Sequence, residues 1–223
     1  MAFKKYFTLS FDDGIEHDKQ LIAIMKQYGL KGTFNLNAGL FGYKPRFFNI
    51  CRIPKDEILQ VYEGFEIASH GYRHENFGVL SRKKIEESLT ADIKELSALI
   101  GKPVIGHAYP FDMHTPRADD CLRKNGILYT RALGKGSFRF PYNLYRYNAT
   151  CWFNAKNVFK LIDQFVHAEP ENEDLLFMMW GHSYEMEYGL RKCPKDQLER
   201  IFSKIAGHSD IVYCTNKEAF SRL

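Results

Sequence analysis

Short apolar runs alternate with amphipathic stretches along almost the whole chain. Residues 6–11 (YFTLSF) read as a buried strand, and the helical pattern over 17–28 that follows stops at Gly29. Residues 32–37 (GTFNLN) form the next strand pattern, and 54–62 a helix with proline in its first turn. A third strand is predicted over 65–69 (FEIAS). Ser81 is a suitable N-cap for a long amphipathic helix reaching Ile100, closed by Gly101 and Pro103. The rhythm continues with a strand over 104–109, a helix over 116–125 ended by Gly126, and a strand over 127–132. Residues 149–153 predict a strand and 157–166 a helix. The unbroken apolar run 175–180 (LLFMMW) fits a strand covered on both faces, as in a parallel sheet. A helix over 197–205, a strand over 211–214 and a helix over 217–223 complete the chain. The stretch 135–147 has neither period, is rich in aromatics and arginine, and reads as a long surface loop.

Seven or eight strands alternating with helices favour a barrel-like α/β architecture over an open sheet. No low-complexity linker, charge block or repeat divides the chain, so residues 1–223 read as one domain.

Composition changes this picture little. Hydrophobic residues make up 45% and charged residues 26%, ordinary for a globular protein. Eighteen Phe and thirteen Tyr fit a large aromatic core, with a cleft that stacks on sugar faces as the alternative explanation. The net charge of +4 comes without a dense Lys/Arg run, which argues against nucleic acid; Arg82-Lys83-Lys84 reads as a solvated helix start. The five cysteines (51, 121, 151, 193 and 214) are scattered without a CxxC, which suits a reducing compartment better than a disulfide framework. With no leader-like apolar segment and no run of 18 apolar residues, the chain reads as cytoplasmic and free of the membrane. A secreted or periplasmic chain that had lost its leader would read the same.

The candidate chemistry sits at the C-terminal ends of predicted strands, where barrels build their sites. The first cluster is Ser10-Phe11-Asp12-Asp13-Gly14. Neighbouring side chains of an extended segment point apart, so one carboxylate is free to bind a metal while the other receives a proton. The second is Ser69-His70-Gly71-Tyr72-Arg73-His74, with two histidines at i and i+4. Together with Asp13 they supply two imidazoles and a carboxylate, the ligand set of an open catalytic metal site. The third is Trp180-Gly181-His182-Ser183-Tyr184-Glu185. Here a histidine beside an indole suits a general acid, with Glu185 able to orient it. A Ser183–His182–Glu185 triad is disfavoured, because residues so close in sequence rarely form one and no GxSxG elbow exists.

In order, these motifs resemble the polysaccharide deacetylase family, carbohydrate esterase family four, which includes chitooligosaccharide and peptidoglycan deacetylases. The resemblance runs from Thr8-Leu9-Ser10-Phe11-Asp12-Asp13-Gly14 through His70 and His74 to Tyr109-Pro110-Phe111 and Gly181-His182. It implies a distorted (β/α)7 barrel and a hydrolase that removes acetyl groups, N-acetyl foremost, from a carbohydrate. It implies one divalent metal ion on Asp13, His70 and His74, zinc foremost, with cobalt, manganese or nickel as the other candidates. Asp12 is then the catalytic base and His182 the acid. Tyr109, Pro110 and Phe111 border the oxyanion and substrate pocket, with the Phe111 N–H as a donor and Trp180 lining the acetyl group.

One departure stands out. The family's third motif often reads Arg-x-Pro-Tyr, and here the arginine position is Ala108. Arg131 is the best candidate to steady Asp12 in its place, an ordinary structural arginine being the alternative. The family's fourth motif does not align; Trp152 and Asp163 are the nearest matches, and Asp112 has no assigned role. His17, His107, His114, His167 and His208 lack partners at ligand spacing, and Cys193 reads as a packed thiol. Two other functions stay in view: hydrolysis of a small cyclic or formylated amide on the same scaffold, and a degenerate carbohydrate-binding domain.

Overall fold

The computed structural model describes residues 3–46, 50–133, 136–189 and 192–221. In chain order its strands and α-helices are β1 (Lys5–Asp12), α1 (Asp18–Gln27), β2 (Gly32–Leu36), α2 (Ile58–Val61), β3 (Glu66–Ser69), α3 (Arg82–Ile100), β4 (Gly106–Ala108) and α4 (Pro116–Lys124). There follow β5 (Tyr129–Ala132), β6 (Tyr147–Asn148), β7 (Cys151–Trp152), α5 (Val158–Val166), β8 (Leu175–Gly181), α6 (Lys195–Ile205), β9 (Ile211–Tyr213) and α7 (Asn216–Phe220).

All strand pairings are parallel, in the order β6-β5-β4-β3-β2-β1-β8-β7, with β9 alongside β1. β1 is the central stave. β8 runs along one edge from Lys5↔Leu175 to Phe11↔Gly181, while the other edge is shared by β9 at residues 5–7 and β2 at residues 9–12. The two ends of the sheet belong to one extended segment. The Ala149 N–H donates to the Ala132 carbonyl beside β5, and the next N–H, of Thr150, donates to the Met178 carbonyl in β8. The sheet therefore curls until the chain itself bridges the gap. With β6 and β7 as one stave, seven staves surround the axis, a distorted (β/α)7 barrel as the motifs imply.

The alternation of β1 explains how the layers separate. Phe7, Leu9 and Phe11 join Leu21, Met25, Ile85, Leu89 and other helix residues in the main apolar core outside the barrel. The other face carries Tyr6, Thr8, Ser10 and Asp12, all buried and three of them polar. Buried polar groups need partners, and α7 supplies them by plugging the barrel. Asn216 accepts from the Thr8 hydroxyl at 2.9 Å and its amide nitrogen lies 3.3 Å from Ser10 Oγ. The Asn35 amide then donates to Ser10 Oγ at 3.0 Å and to Asp12 Oδ1 at 2.8 Å. A chain of polar contacts thus climbs from the plug to Asp12. Below it, Phe220 packs on Tyr129 and Tyr147.

Helix ends follow their sequence signals. Ser81 caps α3 by accepting from the Lys84 N–H, and Gly101 closes it in the left-handed region at φ 67°. Thr215 and Glu218 form a reciprocal capping box on α7.

The structure departs from the expected pattern in two places. The helix expected over 54–62 is a 3-10 turn (Lys55–Glu57) leading into the single turn of α2. The stretch expected as a surface loop over 135–147 (Lys135 lies outside the described residues) contains a 3-10 turn (Leu144–Arg146) and the start of β6. It also sends Phe138 against Phe165 and Phe177, and Phe140 against Tyr6. Phe138 and Phe140 are thereby half-buried, whereas Tyr142 is fully exposed. The last expected helix ends at Phe220, and residues 222–223 lie outside the described residues. Among the described residues, no helix is long and apolar enough to cross a membrane.

If α7 is a plug and not an appendage, Phe220→Ala destabilises the fold by about 3–5 kcal/mol, as for a buried aromatic elsewhere. Equilibrium denaturant unfolding checks this, with a midpoint like that of the unaltered protein as the contrary result.

Candidate active site

Because all strands run parallel, their C-terminal ends open on one face. Asp12, Asp13, His70, His74, Tyr109, Phe111, Asp112, Arg131, Leu133, Trp152, Trp180, His182 and Tyr184 line a cleft of about 460 Å³ there. The three sequence clusters meet in it, though they are up to 170 residues apart along the chain: register brings Ser10 opposite Trp180 and Phe11 opposite Gly181. Gly181 is required by packing, since a Cβ there would sit 2.2 Å from the Phe153 ring.

Asp13, His70 and His74 offer one ligand atom each, all within 4.8 Å of one another. His70 Nδ1 lies 2.8 Å from the Ala108 carbonyl. A carbonyl only accepts, so Nδ1 carries the proton and Nε2 keeps its lone pair for the cluster. His74 Nε2 is 3.7 Å from Asp13 Oδ1, a buried oxygen that also lies 2.9 Å from Arg52 Nη1. Two imidazoles converging on a buried carboxylate, one of them with Nε2 unprotonated, fit a divalent cation. Burial pushes the His70 pKa down to about 4 and lowers that of His74, which keeps both rings neutral, the form that ligates. Burial also acts to raise Asp13, but Arg52 and the neighbouring histidines outweigh it and hold Asp13 well below the usual carboxylate range.

Asp12 faces the opposite way, into the barrel. Arg131 Nη2 is 2.5 Å from its Oδ2, with both side chains almost fully buried. Burial acts to raise the Asp12 pKa, and the charges of Arg131, His70 and His182 bring it below the ordinary value. The guanidinium also lies over the Trp180 ring, 5.1 Å from its centroid.

On the far side of the cleft His182 Nε2 stands 4.0 Å from Asp13 Oδ2. Its Nδ1 is 3.0 Å from Glu185 Oε1. Glu185 Oε2 accepts from Trp152 Nε1 at 2.6 Å and from the Asn154 amide at 3.3 Å, so the carboxylate behind His182 is fixed. Burial acts to lower the His182 pKa, but Glu185, Asp12 and Asp13 together raise it. Trp152 stacks on Trp180 at 4.8 Å, and Tyr184 stacks on His182 at 5.0 Å.

Backbone strain concentrates here. Among the described residues, the non-glycine positions in the left-handed region are Asp13 (φ 89°), His74 (58°), Phe111 (57°) and Asp112 (58°), and all four line the cleft. Each such residue costs about 1–3 kcal/mol unless its surroundings enforce it. Strain gathered at one cleft marks a functional site.

Over residues 2–130 the sequence matches the family of polysaccharide deacetylases. The chain belongs to the polysaccharide deacetylase family. A peptidoglycan deacetylase of Helicobacter pylori is 26% identical over 123 residues, which are 55% of this chain and 39% of that protein. The matched segment thus spans well under half of that relative. A candidate polysaccharide deacetylase from Mycobacterium smegmatis superposes with a TM-score of 0.69 at 15% identity, covering 100% of this chain and 91% of that one. The Xyl-CE4 domain of a multidomain xylanase from the hindgut metagenome of Trinervitermes trinervoides gives 0.61 at 17%, covering 98% and 91%. At these identities the structural likeness speaks for the fold.

Within the family frame, the missing third-motif arginine has a geometric counterpart. Ala108 and Arg131 are register partners on β4 and β5, so Arg131 enters the barrel one stave over, beside the position where Ala108 leaves space. The chain does contain the letters Arg139-Phe140-Pro141-Tyr142. These lie at the opposite end of the barrel, where Arg139 pairs with Glu173 at 3.0 Å and Phe140 packs on Phe220.

Other expected residues sort themselves by contact. Pro110 is buried beneath Gly71 and does not line the cleft. Tyr109 lines it but donates its hydroxyl to Asp119 at 2.6 Å. Trp152 is in the cleft; Asp163 is not, and pairs with Lys204 on the outer face. Ser183 turns away to donate to Asp18 at 2.5 Å, so no Ser183–His182 pair forms. His107 is buried against Phe77, and Cys193 is a buried free thiol. Asp112 accepts from the Leu133 N–H at 2.6 Å, tying the loop after β4 to the one after β5. Arg52 and Asn35 were not singled out by sequence, because no local pattern marks them; Tyr184 stands in the third cluster but had no role there.

Arg131→Met leaves the Asp12 charge buried without its partner, and the expected loss is about 3–5 kcal/mol of stability. Adding Asp12→Asn recovers much of it, because the orphaned charge is gone. A double-mutant cycle by chemical denaturation checks the pairing, and strictly additive losses contradict it.

Proposed function

We propose that this chain is a metal-dependent hydrolase that removes acetyl groups, N-acetyl foremost, from a carbohydrate. The observation that carries the reading is the convergence of three ligand atoms within 4.8 Å, with Asp12 and His182 lining the same cleft. Membership of the polysaccharide deacetylase family supports the substrate class.

Asp13, His70 and His74 hold the ion, zinc being the natural occupant of two imidazoles and a carboxylate. When bound, a divalent ion supplies Lewis acidity to water and to the acyl carbonyl. The remaining chemistry belongs to the chain. Asp12, kept ionised by Arg131, accepts the proton that the attacking water loses. Each of its oxygens has one strong donor already, and each retains a second lone pair. The Phe111 N–H, on a turn held in the left-handed region, serves as a donor for the oxyanion that develops on the carbonyl.

His182 then protonates the departing amine. Glu185 takes the Nδ1 proton as a hydrogen bond, which leaves Nε2 of the imidazolium as the donor facing the cleft. The same carboxylate stabilises the charged ring, in keeping with the raised pKa. The stacked indoles of Trp152 and Trp180 provide an apolar wall suited to the acetyl methyl, and Tyr184 and the exposed Phe111 offer faces for a sugar ring. Acetate and a free amine are the products.

The direct test is acetate release from a panel of N- and O-acetylated glycans, with metal content measured on the same sample. Release that tracks metal occupancy supports the reading; a metal-loaded protein that frees no acetate from any of them contradicts it. Asp12→Asn is near-isosteric but a far weaker base, and it is expected to lower turnover by about 10²–10⁴ while metal stays bound. Loss of metal from that variant would mean the two aspartates have exchanged roles.

His182→Ala separates an acid from a packing residue. An amine leaves poorly without a proton, whereas an aryl acetate needs little help, so the variant is expected to lose far more activity on an N-acetylated oligosaccharide than on the ester. Parallel rates settle it, with equal losses counting against the acid.

A further inference from the structure

Asp13 is the residue whose placement demands the most explanation. Its φ of 89° is the furthest into the left-handed half of any described non-glycine residue, and Gly14 follows at 66°. Two such residues in succession turn the chain sharply just where a ligand has to be aimed. The Asp13 N–H donates to the Asn35 carbonyl at 3.0 Å, which fixes one side of the turn. The other side is held by Arg52. Its Nη1 donates to the Asp13 carbonyl and also lies 2.9 Å from Asp13 Oδ1.

Arg52 is not a surface arginine that happens to reach the site. Its side chain is only 13% exposed. Its backbone is set by an antiparallel bridge between Ile15 and Arg52. The Glu16 N–H donates to the Cys51 carbonyl at 2.9 Å, and the Ile53 N–H to the Gly14 carbonyl at 3.0 Å. The Arg52 N–H in turn donates to the Tyr43 carbonyl at 2.9 Å. The loop between β2 and α2 is thus stitched to the Asp12-Asp13-Gly14 turn, and Arg52 reaches back from it over one residue.

We propose that Arg52 is a positioning residue for the metal ligand Asp13: through the main-chain carbonyl and the carboxylate together, it holds Asp13 in the conformation that meets His70 and His74. The inference rests on the metal reading of the Asp13, His70 and His74 cluster. It assigns a role to a residue outside that cluster and outside the sequence motifs.

Two effects of opposite sign follow from a guanidinium beside a metal ligand. Its charge repels the incoming cation and competes for Oδ1. Its geometry keeps a strained residue from relaxing to negative φ, a change that would swing the carboxylate away from the imidazoles. The bond to the Asp13 carbonyl decides between them. That bond does nothing for charge competition at the carboxylate, since a carbonyl oxygen of residue 13 is not in the cluster of ligand atoms. It acts on the backbone alone. Both contacts come from Nη1, whose two N–H groups are held at a fixed angle in the rigid guanidinium plane, whereas the ammonium of Lys is a strongly hydrated point charge on a flexible stem. Removing a partner that orients a metal ligand typically weakens metal affinity by about 10–100-fold.

The test is titration of the metal-free, full-length protein with Zn²⁺ against a chromophoric chelator. It compares the unaltered chain with Arg52→Met, Arg52→Lys and His74→Ala, with near-UV circular dichroism confirming the fold of each. Arg52→Met is expected to raise the Zn²⁺ dissociation constant by about 10–100-fold, and Arg52→Lys to fall between it and the unaltered protein. Unchanged or tighter binding by a folded Arg52→Met overturns the proposal, tighter binding meaning that the guanidinium acts as a competitor. If Arg52→Met does not fold, Arg52→Lys carries the test alone: weakening of several-fold supports the proposal, and affinity equal to the unaltered chain overturns it. His74→Ala tests the underlying reading separately. If it binds Zn²⁺ as well as the unaltered chain does, the metal cluster itself is misassigned; if it alone loses affinity, only the role of Arg52 falls.

Discussion

A carboxylate that is 3% exposed does not stay ionised inside a protein unless something compensates its charge. Asp12 is that carboxylate, and Arg131 is the compensation. The pair forms the upper end of a polar column that fills the barrel where an apolar core would be simpler to build. The column exists because β1 alternates: one face sends Phe7, Leu9 and Phe11 outward to the helices, and the other sends Thr8, Ser10 and Asp12 inward. Each inward group has been given a donor or acceptor by β2 or by α7. Asp12 is thereby locked in place from below while still lining the cleft.

The column also explains how two adjacent aspartates come to differ. Asp12 belongs to the strand and obeys its alternation. Asp13 is the first residue beyond the strand, and its left-handed backbone turns it toward the histidines. The strain at Asp13, His74, Phe111 and Asp112 is distributed over loops that hold one another: Asp112 grips the loop after β5, and Arg52 grips Asp13. Left-handed backbone occurs at the cleft and nowhere else among the described non-glycine residues, and at Asp13 and Asp112 hydrogen bonds to a different segment of chain hold it.

Much of this was legible in the sequence, for reasons that differ by residue. The strands announced themselves through period and apolar content, and the βα order through alternation with amphipathic helices. Asp12-Asp13 and His70-His74 could be read because their chemistry is local in sequence. Arg131 could be put forward as the partner of Asp12 from its place at the end of a predicted strand, but the register that sets it beside Ala108 on β4 was not legible. Arg139-Phe140-Pro141-Tyr142 shows the converse, letters that match a motif at a place where the fold puts them far from the cleft. Arg52 was hidden because its loop has no hydrophobic period, and an isolated antiparallel bridge leaves no pattern. The stretch 135–147 does lie at the surface among the described residues, but the anchoring of its rings was hidden for a related reason. Phe138 and Phe140 are half-buried and pack against the core one at a time from irregular backbone, so their contacts follow no period that a window can detect.

The account depends most on the claim that the strained turns bring Asp13, His70 and His74 to one metal ion. X-ray absorption at the zinc edge on protein loaded with one equivalent of Zn²⁺ measures this directly, with Asp13→Ala and His70→Ala loaded in the same way. The predicted spectrum shows imidazole nitrogens and carboxylate or water oxygen at about 2.0–2.2 Å and no sulfur, and each substitution removes or rebuilds that shell. A zinc environment containing thiolate sulfur at about 2.3 Å, or one untouched by both substitutions, would contradict it.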